Sequence, residues 1–116
     1  MCALDTAKDR AGLATAQSVL ETYSKTHDCK GSIHFHALDL SSVASTRASA
    51  KELKSKIEDD VGGKGQERID ILVCNAGIMF SPQTELSVDG YERTWAVNCL
   101  GHFVFVTSLL GKVYLL

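Results

Sequence analysis

One short run constrains this chain more than any other: Ile69, Asp70, Ile71, Leu72, Val73 and Cys74. It is apolar and β-branched, follows a glycine-bearing connector and ends at Asn75-Ala76-Gly77. That pattern predicts a strand buried on both faces, as found where helices cover both sides of a parallel sheet. The flanking sequence supplies matching elements. Met1–Leu4 reads as the tail of a strand. Asp5 and Thr6 are suited to cap a helix with Asp9 in its first turn, and Leu13, Ala16, Val19, Leu20 and Tyr23 form its stripe. That helix should fade between Lys25 and Lys30, before Gly31. Ile33, Phe35 and Ala37 alternate with His34 and His36, the period of a short strand. After the Asp39-Leu40-Ser41-Ser42 loop, Ser41 or Ser42 caps a second helix. Val43, Arg47, Ala50, Leu53 and Ile57 form its mostly apolar stripe, and Lys51, Glu52, Lys54 and Lys56 its wet side. Ser87 or Asp89 is placed to cap a third helix, from about Val88 to Leu110. It is apolar nearly all round, so burial on more than one side is expected. Strand and helix alternate throughout, which predicts an α/β domain with a parallel sheet.

Composition narrows the function classes. The chain has 116 residues, 45% hydrophobic and 22% charged, ordinary for one small domain. A net charge of −2 carries no basic bias toward nucleic acid or an anionic membrane surface. Cys2, Cys29, Cys74 and Cys99 have no paired spacing, and Cys74 and Cys99 sit in apolar runs. Buried free thiols in a reducing compartment are expected. His27, Cys29, His34 and His36 lack zinc-ligand spacing, so no metal site is expected. Met1–Leu13 is too polar for a signal peptide. The run from Trp95 to Leu110 is broken by Asn98, His102, Thr107 and Ser108, short of a membrane span. A cytoplasmic location is the expectation.

Candidate chemistry lies at the carboxyl ends of the strands, where open parallel sheets bind ligands. The glycines of Val61-Gly62-Gly63-Lys64-Gly65-Gln66 make a poor phosphate loop, because no strand leads into them and no helix follows. Asp39-Leu40 closes one strand and Asn75-Ala76-Gly77 another. Asp39 is either a turn former or an acceptor for an adenine amino group. Gly77 is either a turn residue or a point of close ligand approach. Asn98 is a middling helix former inside an apolar helix. Its amide serves either a core hydrogen bond or the positioning of a catalytic water.

Taken in order, Asp39-Leu40, Asn75-Ala76-Gly77, Asp89-Gly90-Tyr91-Glu92 and Val97-Asn98-Cys99-Leu100-Gly101-His102-Phe103 resemble the short-chain dehydrogenase/reductase family. The resemblance is closest to its retinol-dehydrogenase-like and WW-domain-oxidoreductase-like members, and it runs from Met1 to about Leu110. It implies a partial doubly wound, Rossmann-like sheet over residues 1–116, lacking the first strand and the C-terminal half. It implies an NAD or NADP cofactor, with Asp39 bonding the adenine and Leu40 packing beside it. Asn75, Ala76 and Gly77 would shape the floor under the cofactor ribose. Asn98 would hold a water in the proton relay. Leu4 and Asp5 stand where members favouring the NADP phosphate often carry an arginine.

Two family motifs are missing from the 116 residues. One is the Thr-Gly-x-x-x-Gly-x-Gly turn that cradles the pyrophosphate. The other is the Tyr-x-x-x-Lys pair, whose tyrosine is the general acid/base; Tyr91 is followed four residues on by Trp95, and Tyr114 by only two leucines. The resemblance therefore implies a fragment of an oxidoreductase that moves a hydride between nicotinamide and a carbonyl or alcohol substrate. Catalysis and cofactor binding by this chain alone are not expected. The alternative is a non-catalytic or dominant-negative partner that pairs with a full-length relative, as a homo- or heterodimer, through the Val88–Leu110 helix. The strand at Ile69–Cys74 would lack both neighbours, an arrangement prone to pairing with another chain.

Overall fold

Extended, β-branched stretches form strands only where another backbone satisfies their N–H and C=O groups. The first such pairing is short. In a computed structural model, which describes residues 2–4, 18–19, 21–26, 35–60, 69–79 and 83–110, strand β1 spans Cys2–Leu4 and β2 spans Phe35–Ala37. They run parallel, with Cys2 opposite Phe35, Ala3 opposite His36 and Leu4 opposite Ala37. A parallel pair needs a crossover between its strands, and residues 18–19 and 21–26 there are helical (α1). This strand–helix–parallel strand unit is the α/β pattern read from the sequence. The face of β2 is less simple: His36 is buried and Ala37 exposed. Val19 and Tyr23 of the expected α1 stripe are both exposed, and the remainder of that stripe, with its caps, lies outside the described residues.

The chain divides into two compact units, Met1–Leu38 and Asp39–Leu116. In the second, helix α2 spans Val43–Asp60. Ser42 caps it, its Oγ accepting from the Ser45 N–H at 3.3 Å. Thr46, Ser49, Ala50 and Leu53 make the buried face. Arg47, expected on that stripe, is exposed, and Thr46 takes the inward position because its hydroxyl donates to the Asp39 carbonyl at 2.9 Å. Glu52 and Lys56 pair at 2.7 Å on the wet side, one turn apart. The Val61–Gln66 connector lies outside the described residues.

The third helix begins later than the sequence reading places it. Helix α3 spans Arg93–Trp95, continues as a π-helical turn over Ala96–Gly101, and becomes α4 over His102–Leu109. Neither Ser87 nor Asp89 caps it. Glu92 does, its carboxylate accepting from the Thr94 and Trp95 N–H groups at 2.8 and 2.7 Å. Residues 87–90 are instead a turn, closed by Gly90 N–H to the Ser87 carbonyl at 3.0 Å and by Ser87 N–H to the Tyr91 carbonyl at 2.7 Å. Gly90 sits at φ 81°, a region side chains disfavour. Only one side of this long helix is buried: Ala96, Val97, Gly101, Val104, Phe105 and Leu109 face in, while Trp95, Phe103 and Leu110 stay exposed. It packs on α2, and Leu53 and Leu109 lie at the centre of the core.

The run expected to be a buried strand is not buried in the described residues. Among the described residues it enters no named strand, and Ile71 and Val73 are 82% and 74% exposed. The residues have the right propensity, but a strand without a ladder gains nothing from it. Cys74 and Cys99 are free thiols, as read, yet both are exposed rather than buried.

Candidate functional site

Two loops meet the long helix, and glycine makes one of those meetings possible. Gly101 lies at the end of the π-helical turn, facing Leu40. A Cβ there would sit 2.5 Å from the Leu40 carbonyl oxygen and 3.0 Å from its Cα, both backbone atoms that cannot step aside. Only glycine allows the helix so close to the Asp39–Ser42 turn. Leu40 is 5% exposed, its side chain packed on that helix.

Asp39 forms a side-chain-closed turn. Its Oδ1 accepts from the Ser41 N–H at 2.9 Å and from the Ser41 hydroxyl at 2.6 Å. Its Oδ2 has no partner among the described residues, and Asp39 is half-buried. The carboxylate is therefore oriented by one oxygen and free at the other. A free carboxylate oxygen is an acceptor available to an external N–H.

The second loop is tethered by side chains. Asn98 offers its amide to one residue in both senses: Oδ1 accepts from the Ile78 N–H at 2.8 Å, and Nδ2 donates to the Ile78 carbonyl at 2.9 Å. The amide thus imitates a neighbouring strand for one residue of a segment that forms no named strand. One turn on, His102 Nε2 donates to the Ala76 carbonyl at 2.7 Å. A carbonyl only accepts, so Nε2 carries the proton. Between these anchors lies Gly77, where a Cβ would come within 3.1 Å of Asn98 Oδ1. Asn75, Ala76 and Gly77 themselves are exposed. The π-helical turn Ala96–Gly101 carries Asn98, and such wide turns displace the backbone bonding pattern by one residue.

The structure thus joins Asn98 to the Asn75–Gly77 loop and sets Leu40 on the same helix at Gly101. Asp39 and Leu40 reach that helix three residues along from Asn98. The sequence reading assigned no role to His102 or Glu92. Glu92 is held below the usual carboxylate range by hydrogen bonds from the Trp95 and Thr94 N–H groups. It shares a shallow hollow of about 170 Å³ with Ile78, Met79, Glu85, Arg93 and Thr94. Arg93 and Glu85 form an ion pair there. Among the described residues no cluster of histidine, cysteine and carboxylate groups could hold a metal ion.

The arrangement matches known proteins along nearly its full length. The short chain dehydrogenase family model fits residues 5–114. The chain belongs to the short-chain dehydrogenase/reductase family. Its relatives within that family are retinol-dehydrogenase-like. It is 37% identical to mouse (Mus musculus) retinol dehydrogenase 14 over 70% of this chain and 21% of that one. It is 41% identical to human (Homo sapiens) retinol dehydrogenase 13 over 66% of this chain and 20% of that one. A crystal structure of an uncharacterised protein from Mycobacterium paratuberculosis superimposes with a TM-score of 0.64 at 29% identity, covering 96% of this chain and 32% of that one. The chain spans about a fifth of the length of the curated relatives it matches. No helix among the described residues is long and apolar enough to cross a membrane.

Proposed function

We propose that this short-chain dehydrogenase chain contributes the adenine and ribose side of an NAD(P) site in an oxidoreductase acting on a carbonyl or alcohol. The observation that carries the reading is the double hydrogen bond between the Asn98 amide and Ile78. It couples the Asn75–Gly77 loop to the helix bearing Asn98, and so draws two separate motifs into one site. The cofactor, when bound in the complete protein, supplies the hydride acceptor or donor.

The residues present suit its adenosine half. Asp39 keeps one carboxylate oxygen available for an adenine amino group, and Leu40 buttresses that turn from the helix side. The exposed backbone of Asn75, Ala76 and Gly77 offers a flat floor for the ribose, with Gly77 admitting close approach. Asn98 braces this floor with its side chain and would hold the water of a proton relay. Retinol dehydrogenases among the relatives favour a lipid-like alcohol as the substrate class. The choice between NAD and NADP rests on the segment after β1.

By itself, the chain is proposed to be non-catalytic, because neither the glycine-rich turn nor Tyr-x-x-x-Lys occurs in its 116 residues. Titration of the purified chain with NADH and NADPH, read by nicotinamide fluorescence, tests this. No saturable binding and no turnover of retinol are expected from the chain alone. Tight binding would overturn the non-catalytic reading. A second reading is favoured by Trp95, Phe103 and Leu110, which stay 49%, 65% and 47% exposed on the long helix. On that reading the helix pairs with a full-length relative. Co-purification with such a relative supports it, and recovery of free chain alone sinks it.

A further inference from the structure

We propose that Asp89 is a positioning residue for the Asp39–Ser42 turn, acting from the turn that precedes α3. This deepens the cofactor reading above and rests on it for the role of Asp39. The decisive contact spans 46 positions: Asp89 Oδ2 accepts from the Val43 N–H at 2.7 Å. Val43 opens α2, so its N–H is one of those a helix leaves without an internal partner. The local cap, Ser42, serves Ser45 instead. Asp89 therefore does for a distant helix what the sequence reading expected it to do for its own.

The turn at Asp39 is held by four contacts. Ser41 and Thr46 bind it from within the same stretch, to the Asp39 side chain and carbonyl respectively. The two anchors from elsewhere are Gly101, touching Leu40, and Asp89, gripping Val43. Gly101 only permits approach; Asp89 supplies a bond.

Asp89 is itself held in place. Gly90 at φ 81° and the bonds between Ser87, Gly90 and Tyr91 shape its turn. The antiparallel bridge of Leu86 with Glu92, and the Arg93 N–H to the Glu85 carbonyl at 2.8 Å, close the base of that turn. The same segment then enters the helix that carries Asn98. One carboxylate thus links the approach to Asn98 with the start of α2, and fixes where the free oxygen of Asp39 points. Asp89 touches no ligand in this scheme and acts through Asp39.

The test compares the purified chain with Asp89→Ala and Asp89→Asn, using amide hydrogen exchange by NMR. Asp89→Ala is expected to speed exchange at Ser41 and Val43 by about tenfold, the scale of one lost charged hydrogen bond. Exchange at Leu53 and Leu109 should stay unchanged. Asp89→Asn retains an acceptor oxygen and should restore slow exchange at Ser41 and Val43. Unchanged exchange at Ser41, equal acceleration through α2 and α4, or failure of asparagine to rescue would each overturn the proposal. If Asp89→Ala does not fold, Asp89→Glu, which keeps the charge and displaces the acceptor, is read the same way. The exchange data decide whether Asp89 holds the turn, independently of the cofactor titration that tests the reading it rests on.

Discussion

Helices α2 and α4 bury apolar faces against each other, whereas the extended segment 69–79, richer in apolar residues than α2, stays largely exposed. Leu53 and Leu109 are 2% and 0% exposed, whereas Ile71 and Met79 are 82% and 93% exposed. A helix satisfies its own backbone and needs only one apolar face covered, which a second helix provides. A strand must find both a ladder and a cover. What segment 69–79 has in place of a ladder is two side chains, Asn98 and His102, that take up the backbone groups of Ile78 and Ala76. The contrast shows that hydrophobicity decides burial only where the topology offers a partner.

That contrast breaks most strongly in the helix core. Leu109→Ala or Leu53→Ala should cost about 2–5 kcal/mol in urea denaturation, because each leaves a cavity between α2 and α4. Gly101→Ala should cost about 1–3 kcal/mol, since its Cβ would meet Leu40 backbone. A normal denaturation midpoint for that variant would mean that the helix can slide away from the Asp39 turn. Asn98→Ala should cost about 1–2 kcal/mol through two lost hydrogen bonds. It should also release the 76–78 loop, visible as faster amide exchange at Ile78 with α2 unaffected.

A smaller effect follows from Glu92. Hydrogen bonds from the Trp95 and Thr94 N–H groups hold its carboxyl below the usual carboxylate range, so the folded state favours the ionised form. Its stabilising contribution is present above that ordinary value and is lost as pH falls through the lowered folded value. Glu92→Gln should flatten this part of the acid stability profile, losing the contribution near neutrality and changing little once Glu92 is protonated. The smallest change is expected at the exposed apolar run. Ile71→Thr and Val73→Thr should alter stability by less than about 0.5 kcal/mol, as surface substitutions do. A large loss at either position would show that the run is covered in solution.

Much of the candidate site was legible because its residue types have few other uses. Aspartate after a strand, Asn-Ala-Gly after a β-branched run and asparagine within an apolar helix were each singled out, and the structure brings Asn98 onto the Asn75–Gly77 loop. The partner it selects, Ile78, was not legible, because a backbone amide leaves no mark in the side-chain pattern. His102 was passed over for the same reason: its acceptor is the Ala76 carbonyl. Arg47 was misplaced on the inner stripe because periodicity alone cannot tell it from Thr46, whose inward turn depends on the Asp39 carbonyl.

The sequence by itself determined the family, the α/β class with its first strand–helix–strand unit, and the residues worth watching. These follow from local propensity, periodicity and motif order, all carried by neighbours in the chain. Tertiary structure alone decided that Asp89 caps α2 rather than its own helix, that Glu92 starts α3, and that Ile71 and Val73 stay uncovered. Each of those outcomes depends on which backbone groups find partners far away along the chain, and a linear pattern does not encode that distance.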